Sequence, residues 1–174
     1  MFIQQYLHRF HWEVTDQITV GVKVLSLTSG NLVFKDYLCF LPFPLSAFPS
    51  TFVLTELKKG FFPHLFNTIQ NQEYEGPMPP REYYDPDGMS PKKKPEFEEW
   101  YHQQVTRNHV FNLRNEMEEY CISDIKLLKA GYTAFQCEFK CHRKFNPMEK
   151  CVMIASACNR YWQKMLLPKN TIAV

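Results

Sequence analysis

Tyr120-Cys121-Ile122-Ser123-Asp124 lies inside the longest uninterrupted helical pattern of the chain, which runs from Leu113 to Phe139. Apolar residues recur there at steps of three and four. Met117, Cys121, Leu128, Tyr132, Phe135 and Phe139 draw one stripe along the predicted helix. Asp124 falls in the middle of that stripe, one turn after Tyr120 and one turn before Leu128. A carboxylate on a core-facing stripe is costly unless a metal, a cation or a set of donors pairs with it. The spacing Tyr-x-x-x-Asp also has an ordinary reading, a half-exposed helix aspartate beside a core tyrosine. It recurs by accident at Tyr83 and Asp87, in a proline-rich loop. The segments around the helix decide between the two.

Working outward, Asn112 is placed to cap this helix. Upstream, Ser90-Pro91 opens a predicted helix through Trp100, Tyr101 and Val105. Lys92-Lys93-Lys94 at its start oppose the helix dipole and suit either a polyanion or a solvated face. Residues 76–95 hold six prolines and are expected to lack regular structure. Within them Asp85-Pro86-Asp87-Gly88 reads as a turn, because the ligand positions and terminal glutamate of a calcium loop are missing. Phe61 to Asn67 is an aromatic-rich loop, preceded by a short helical segment that Ser46 or Ser50 caps and that ends by Leu57. Lys58-Lys59-Gly60 then closes that segment with ordinary C-terminal capping residues.

Nearer the N-terminus, Ile18 to Leu27 alternates with period two, Ser29-Gly30-Asn31 is a turn, and Leu32 to Leu38 is a second strand. The expectation is a β-hairpin, with Asp36 an edge or turn carboxylate. Phe2, Ile3, Tyr6, Leu7 and Phe10 have helical spacing. At the other end a helix is expected from Met148 to Leu166, with Pro168 terminating it.

The chain has 174 residues, 16% of them aromatic and 45% apolar, which suits one domain with a real core and excludes general disorder. A net charge of +2 does not announce a nucleic-acid binder, so any basic surface must be local. No 18-residue apolar run predicts a membrane span, and the first residues lack the pattern of a signal peptide. The expected compartment is the nucleus or cytoplasm, not the exterior. Six cysteines in mostly apolar segments are then expected to be reduced, buried thiols. Cys137-x-x-x-Cys141-His142 with Cys151 lacks Cys-x-x-Cys spacing and is a weak zinc signal.

Several blocks, taken in order, resemble one family. They are Asp36 to Pro44, Leu45 to Pro49, Leu54 to Gly60, Phe62 to Asn67, Glu82 to Ser90, Tyr120-x-x-x-Asp124, and Ile154 to Asn159. Together they are similar to the protein-primed family-B DNA polymerases of viruses, organelles, linear plasmids and self-synthesising DNA transposons, closest to the transposon branch. The resemblance implies an α/β fold, a partial RNase H-like 3′–5′ exonuclease domain built of a β-hairpin and several helices and truncated at its N-terminal side. Residues 1–145 would be the later part of that domain, and 146–174 a helix leading toward an absent polymerase palm.

In the intact family the resemblance implies DNA replication with proofreading, a single-stranded 3′ end as substrate, and paired magnesium or manganese ions that activate a water. Carried over residue by residue, it implies catalytic roles for Tyr120, Asp124 and Lys58, with Asp124 as a metal ligand. The family's Ser/Thr-Leu strand-binding motif falls on Tyr37-Leu38, where tyrosine replaces the hydroxyl residue. Leu38, Lys59 and Phe62 are the candidate nucleic-acid contacts, since single-strand grooves combine basic residues with stacking aromatics. A loop such as Phe61 to Phe66 is, however, more often core than stacking platform.

Departures from the family pattern set the expectation for activity. No Asp-x-Glu occurs in the chain, and no palm aspartates follow. One carboxylate does not hold a metal pair, so the metal site is incomplete, no cofactor is expected for this chain alone, and the isolated chain is expected to be inactive. Whether it is an enzyme stays open. The alternative is a co-opted, non-catalytic module that binds single-stranded nucleic acid or protein.

Overall fold

Local chemistry sets where the chain bends and where it stays regular. Gly21, at φ +58°, takes the left-handed conformation that a two-residue turn requires. The alternating run from Ile18 to Leu27 is therefore two strands rather than the single one expected, with Val20 opposite Lys23. The structure is a computed structural model and describes residues 2–54, 60–143, 145–168 and 171. Its elements are α1 (Phe2–Arg9), β1 (Asp16–Val20), β2 (Lys23–Ser29), β3 (Leu32–Lys35), α2 (Phe48–Thr51), β4 (Glu75–Gly76), α3 (Lys93–Thr106), β5 (Phe111–Asn112), α4 (Leu113–Arg143), α5 (Pro147–Lys150) and α6 (Ile154–Tyr161). The fold is α/β, with a three-stranded antiparallel sheet in the order β1-β2-β3, a two-stranded β4-β5 pair, and several helices.

The chain divides into two units, and α4 contributes to both. One comprises residues 1–44 and 132–174, the other residues 45–131. These boundaries differ from the sequence-based division at residue 145.

In the first unit the register puts Leu27 opposite Phe34 and Ser29 opposite Leu32, so these side chains share one sheet face. Ile3, Tyr6 and Leu7 of α1 line a hollow with Leu32 and Phe34, which places α1 over that face. Gln4 also donates to the Gln17 side chain at 2.9 Å. On the opposite face, Lys35 stands across from Ser26. Its Nζ donates to the carbonyl oxygens of Met148 (2.5 Å) and Cys151 (2.9 Å), so a cation sits at the C-terminal end of α5. Desolvation holds the Lys35 ammonium below its usual pKa.

Strand β3 ends at Lys35, short of the expected Leu38. Asp36 caps a 3-10 turn over Tyr37–Cys39 by accepting from Leu38 N at 3.0 Å, and it pairs with Lys23 at 3.1 Å. This is the ordinary role expected of Asp36. The predicted helix from Met148 to Leu166 is broken instead. Asn146 caps α5 by accepting from Met148 N, Cys151 and Met153 are extended, and α6 restarts where Met153 N donates to Ser156 Oγ. Apolar periodicity hid this break because the local caps satisfy the freed backbone donors.

In the second unit the aromatic loop, not a strand, is the organising segment. Phe61 turns toward α3, with ring centroids 5.3 Å from Phe97 and 5.2 Å from Trp100. Phe62 turns the other way, 5.3 Å from Tyr120 of α4. Phe62, Phe66, Phe111 and Leu113 form a buried cluster with Tyr74, Met78, Met117 and Tyr120 packed against it. The loop is core.

The proline-rich stretch is better organised than expected. It carries 3-10 turns over Arg81–Tyr84 and Pro86–Gly88, with Asp85 accepting from Gly88 N. It delivers Tyr84 to within 5.2 Å of Phe97. Asp85-Pro86-Asp87-Gly88 is the turn that its sequence indicates, and Asp87 pairs with Lys94 at 2.7 Å.

The cysteines depart from expectation. Cys121, Cys137, Cys141 and Cys158 are exposed, and only Cys151 among the six is buried.

Candidate functional site

The first turn of α4 is held in place by its neighbours. Asn112 Oδ1 accepts from Asn115 N at 3.1 Å, the cap expected from the sequence. Leu113 N donates to Tyr74 O at 3.1 Å, and β5 pairs with β4 immediately before. From there the buried seam of α4 runs Leu113, Met117, Tyr120, Asp124, Leu127, Gly131, alternating four- and three-residue steps. It differs from the predicted stripe by part of a turn, and Cys121 lies outside it. The corrected seam passes through Tyr120 and Asp124 themselves.

A Cβ on Gly131 would stand 2.1 Å from Phe48 Cδ2, so only glycine lets that fully buried ring lie against the helix. Asp124 thus sits between a clamped tyrosine above and a sterically locked contact below. The residue is half-buried, and its Oδ1 is buried.

Tyr120 is fixed by rings on two sides. Its centroid is 5.3 Å from Phe62 and 5.5 Å from His64, the latter in an edge-on arrangement. Gly60 comes against the same ring, its ideal Cβ position lying 4.0 Å from Tyr120 Cδ2. His64 is exposed, so the Tyr120 ring borders solvent through it.

Beside this group, on the same helix face, His109 Nε2 meets Glu116 Oε1 at 2.7 Å. Burial pushes the Tyr84 phenol far above its ordinary pKa, and the Glu116 charge adds to the shift.

The structure brings Tyr120, Phe62 and Asp124 into one unit. Phe62, expected to touch nucleic acid, is 6% exposed and its ring lies against His64 and Tyr120, so it supports Tyr120 from inside the core. Leu38 is 43% exposed and belongs to the other unit. Lys58 and Lys59 lie outside the described residues. Sequence reasoning did not single out His64 or Gly60. Both lie inside the blocks that carry the resemblance, Leu54 to Gly60 and Phe62 to Asn67, but only the packing of the loop on α4 reveals their place.

A two-metal exonuclease centre needs several carboxylates on one pair of ions. Among the described residues no group of three or more His, Cys, Asp or Glu side chains could hold a metal. The described residues alone therefore do not supply the carboxylates of a metal pair. Among the described residues no helix is long and apolar enough to cross a membrane.

Residues 2–174 match a model of type B DNA polymerases, covering both units and every element described above. The chain belongs to that family in its organellar and viral form. Comparison with curated proteins returned no match, and comparison with solved structures returned none either.

Proposed function

We propose that this chain is the 3′–5′ exonuclease region of a type B DNA polymerase, with Tyr120 and Asp124 at the place where a single-stranded 3′ end is received. The observation that carries the reading is a carboxylate in the buried seam of α4 one turn after a ring-clamped tyrosine, in a chain of this family. A tyrosine held by Phe62 and His64 presents its hydroxyl from a fixed position, which suits orienting a terminal phosphate or water rather than adapting to many partners. Asp124 would supply one carboxylate toward the family's magnesium or manganese. Lys58 and Lys59 lie outside the described residues, and a role for them toward the phosphate rests on the family resemblance of the Leu54 to Gly60 block. With no carboxylate set for a metal pair among the described residues, the chain is proposed to bind a strand end without cutting it.

Photo-crosslinking tests the reading without relying on catalysis. A single strand carrying 5-iododeoxyuridine at its 3′ terminus should crosslink to Tyr120 or His64. The same strand should stay uncut when incubated with the chain and magnesium or manganese. Crosslinks elsewhere, or only from a 5′-terminal probe, would overturn the assignment of the site. Digestion that stops in Asp124→Asn would overturn the inactivity.

A further inference from the structure

Ser90-Pro91-Lys92-Lys93 is the only place in the 174-residue chain where a serine or threonine is followed by proline. Ser90 is exposed at the end of the proline-rich stretch, directly after the extended Met89. Its carbonyl oxygen accepts from Lys93 N at 2.9 Å and Lys94 N at 3.1 Å, so Ser90 opens α3. Among the described residues its hydroxyl makes no hydrogen bond, and no side-chain hydrogen bond caps α3. A serine at a helix start normally gives its hydroxyl oxygen to the free amides of the first turn. This one leaves it to solvent.

The charge at this end of the helix is inverted. Lys92, Lys93 and Lys94 stand where the helix dipole favours anions. Lys94 pairs with Asp87 at 2.7 Å, whereas Lys92 and Lys93 have no carboxylate partner among the described residues. Of the neighbouring acids, Asp85 accepts from Gly88 N, Asp87 holds Lys94, and Glu96 follows in the first turn of α3. An anion carried on Ser90 Oγ would meet two unpaired lysines and the positive end of α3 together. A phosphate is such an anion, with close to two negative charges and three strong acceptor oxygens.

We infer that Ser90 is a phosphorylation site for a proline-directed serine/threonine kinase that selects a basic residue three positions on, the position Lys93 holds. Ser90 Oγ attacks the γ-phosphorus of ATP. The new O–P bond forms as the bond to the β-phosphate oxygen breaks, ADP leaves, and the hydroxyl proton passes to the kinase's base. Proline at the next position favours an extended Ser90, the shape an open kinase groove accepts. Full extension requires the Lys93 and Lys94 amides to release Ser90 O, two bonds at an uncapped helix end where Pro95 adds no further donor. Once attached, the phosphate accepts from the first-turn amides and pairs with Lys92 and Lys93, closing the start of α3. The lysine run then serves an anion on its own chain rather than an outside polyanion. Neither Tyr120 nor Asp124 takes part.

The test incubates the full chain with a purified cyclin-dependent kinase and ATP, and maps the product by phosphopeptide mass spectrometry. A phosphate on Ser90 is expected, lost in Ser90→Ala, kept in Ser90→Thr, and reduced in both Pro91→Ala and Lys93→Gln. No labelling of the folded chain, labelling that persists in Ser90→Ala, or labelling only after denaturation would overturn the site. A second arm reads where the phosphate goes. Exchange of the Lys93 and Lys94 amides should slow about 2- to 30-fold on phosphorylation, the range for an anion at a helix N-terminus. In phosphorus NMR the second ionisation of the phosphate should fall below its ordinary value of about 6, and return toward it when Lys92 and Lys93 are both changed to Gln. Unchanged exchange together with an ordinary ionisation would overturn the place assigned to the phosphate.

Discussion

The two units bury their side chains by opposite means. Residues 45–131 are built largely of loops and 3-10 turns, yet they hold Phe48, Phe97, Phe111 and Leu113 fully or almost fully out of solvent. The sheet unit is the more regular, yet β1 is exposed along its whole length and Tyr6, Phe10 and Trp12 face water. Backbone regularity does not set burial here; ring packing does. Phe61 and Phe62 point to opposite helices, and a loop that satisfies its own backbone by short turns can carry more core than a strand on a sheet edge. That contrast bears on function. The ring-packed unit fixes Tyr120 and Asp124, whereas the sheet unit leaves its aromatic faces exposed.

The contrast breaks hardest at Phe97. This ring is 0% exposed and meets Phe61, Tyr84, Trp100 and Tyr101. Phe97→Ala should cost about 3–5 kcal/mol in a denaturant melt, as for other fully buried aromatic truncations. Segment-resolved hydrogen exchange sharpens the point: amides of residues 45–131 should lose protection first. An equal loss in β1–β3 would show that the two units unfold as one and erase the distinction.

Gly131→Ala comes next. An exposed helix glycine gains from this change through helix propensity. Here the new methyl meets Phe48 at 2.1 Å, and that ring has nowhere exposed to go. A net loss of about 1–3 kcal/mol is expected. A stabilised variant would show that the α4 seam is loosely held beside Asp124.

How much of this was legible in the sequence follows from what each signal encodes. The long α4 helix, its Asn112 cap, the turn at Asp85–Gly88 and the cap at Asp36 rest on local chemistry, and local chemistry is written in neighbouring residues. The break at Gly21 was visible as a glycine in an alternating run, but alternation outweighed it. The split of the last helix was hidden because Asn146 and Ser156 supply caps inside a stretch whose periodicity stays helical. The direction of the α4 seam was not readable. It is decided by Phe48 against Gly131 and Phe62 against Tyr120, contacts made across long stretches of chain. For the same reason the sequence marked Tyr120 and Asp124 but not His64, and it left Phe62 between a nucleic-acid contact and a core ring, of which burial supports the second.

In the sheet unit the corresponding test is Lys35. Its ammonium joins β3 to two carbonyls at the end of α5. Lys35→Met should cost about 1–2 kcal/mol, the scale of charged hydrogen bonds reduced by partial solvent access. Desolvation lowers the folded pKa of Lys35 below its unfolded value of 10.5. The unfolded chain then holds more protons in the window just below that value, so this residue's contribution makes stability rise with pH there. Melts at pH 8 and pH 10 should show that rise in the parent and not in Lys35→Met.

The smallest effect belongs to Tyr84, and it separates ring packing from hydrogen bonding. The residue is 5% exposed, its ring meets Phe97, Trp100 and Tyr101, and its buried hydroxyl has no hydrogen-bond partner among the described residues. If rings rather than polar contacts hold this unit, the hydroxyl adds nothing. Tyr84→Phe then keeps every ring contact and removes a desolvated polar atom, so stability at pH 7 should be unchanged or up to about 1 kcal/mol higher. Alkaline pH adds a second arm. Burial raises the folded pKa of Tyr84 above its unfolded value of 10.0. The folded state therefore keeps a proton that the unfolded chain releases, and stability falls as pH climbs past about 10. Tyr84→Phe should remove that part of the fall. Melts of both proteins at pH 7 and pH 11 decide it. A loss above about 1 kcal/mol at pH 7 would show that the hydroxyl makes a bond the unit depends on, and the rings alone would no longer explain why this loop-built half is the better buried one.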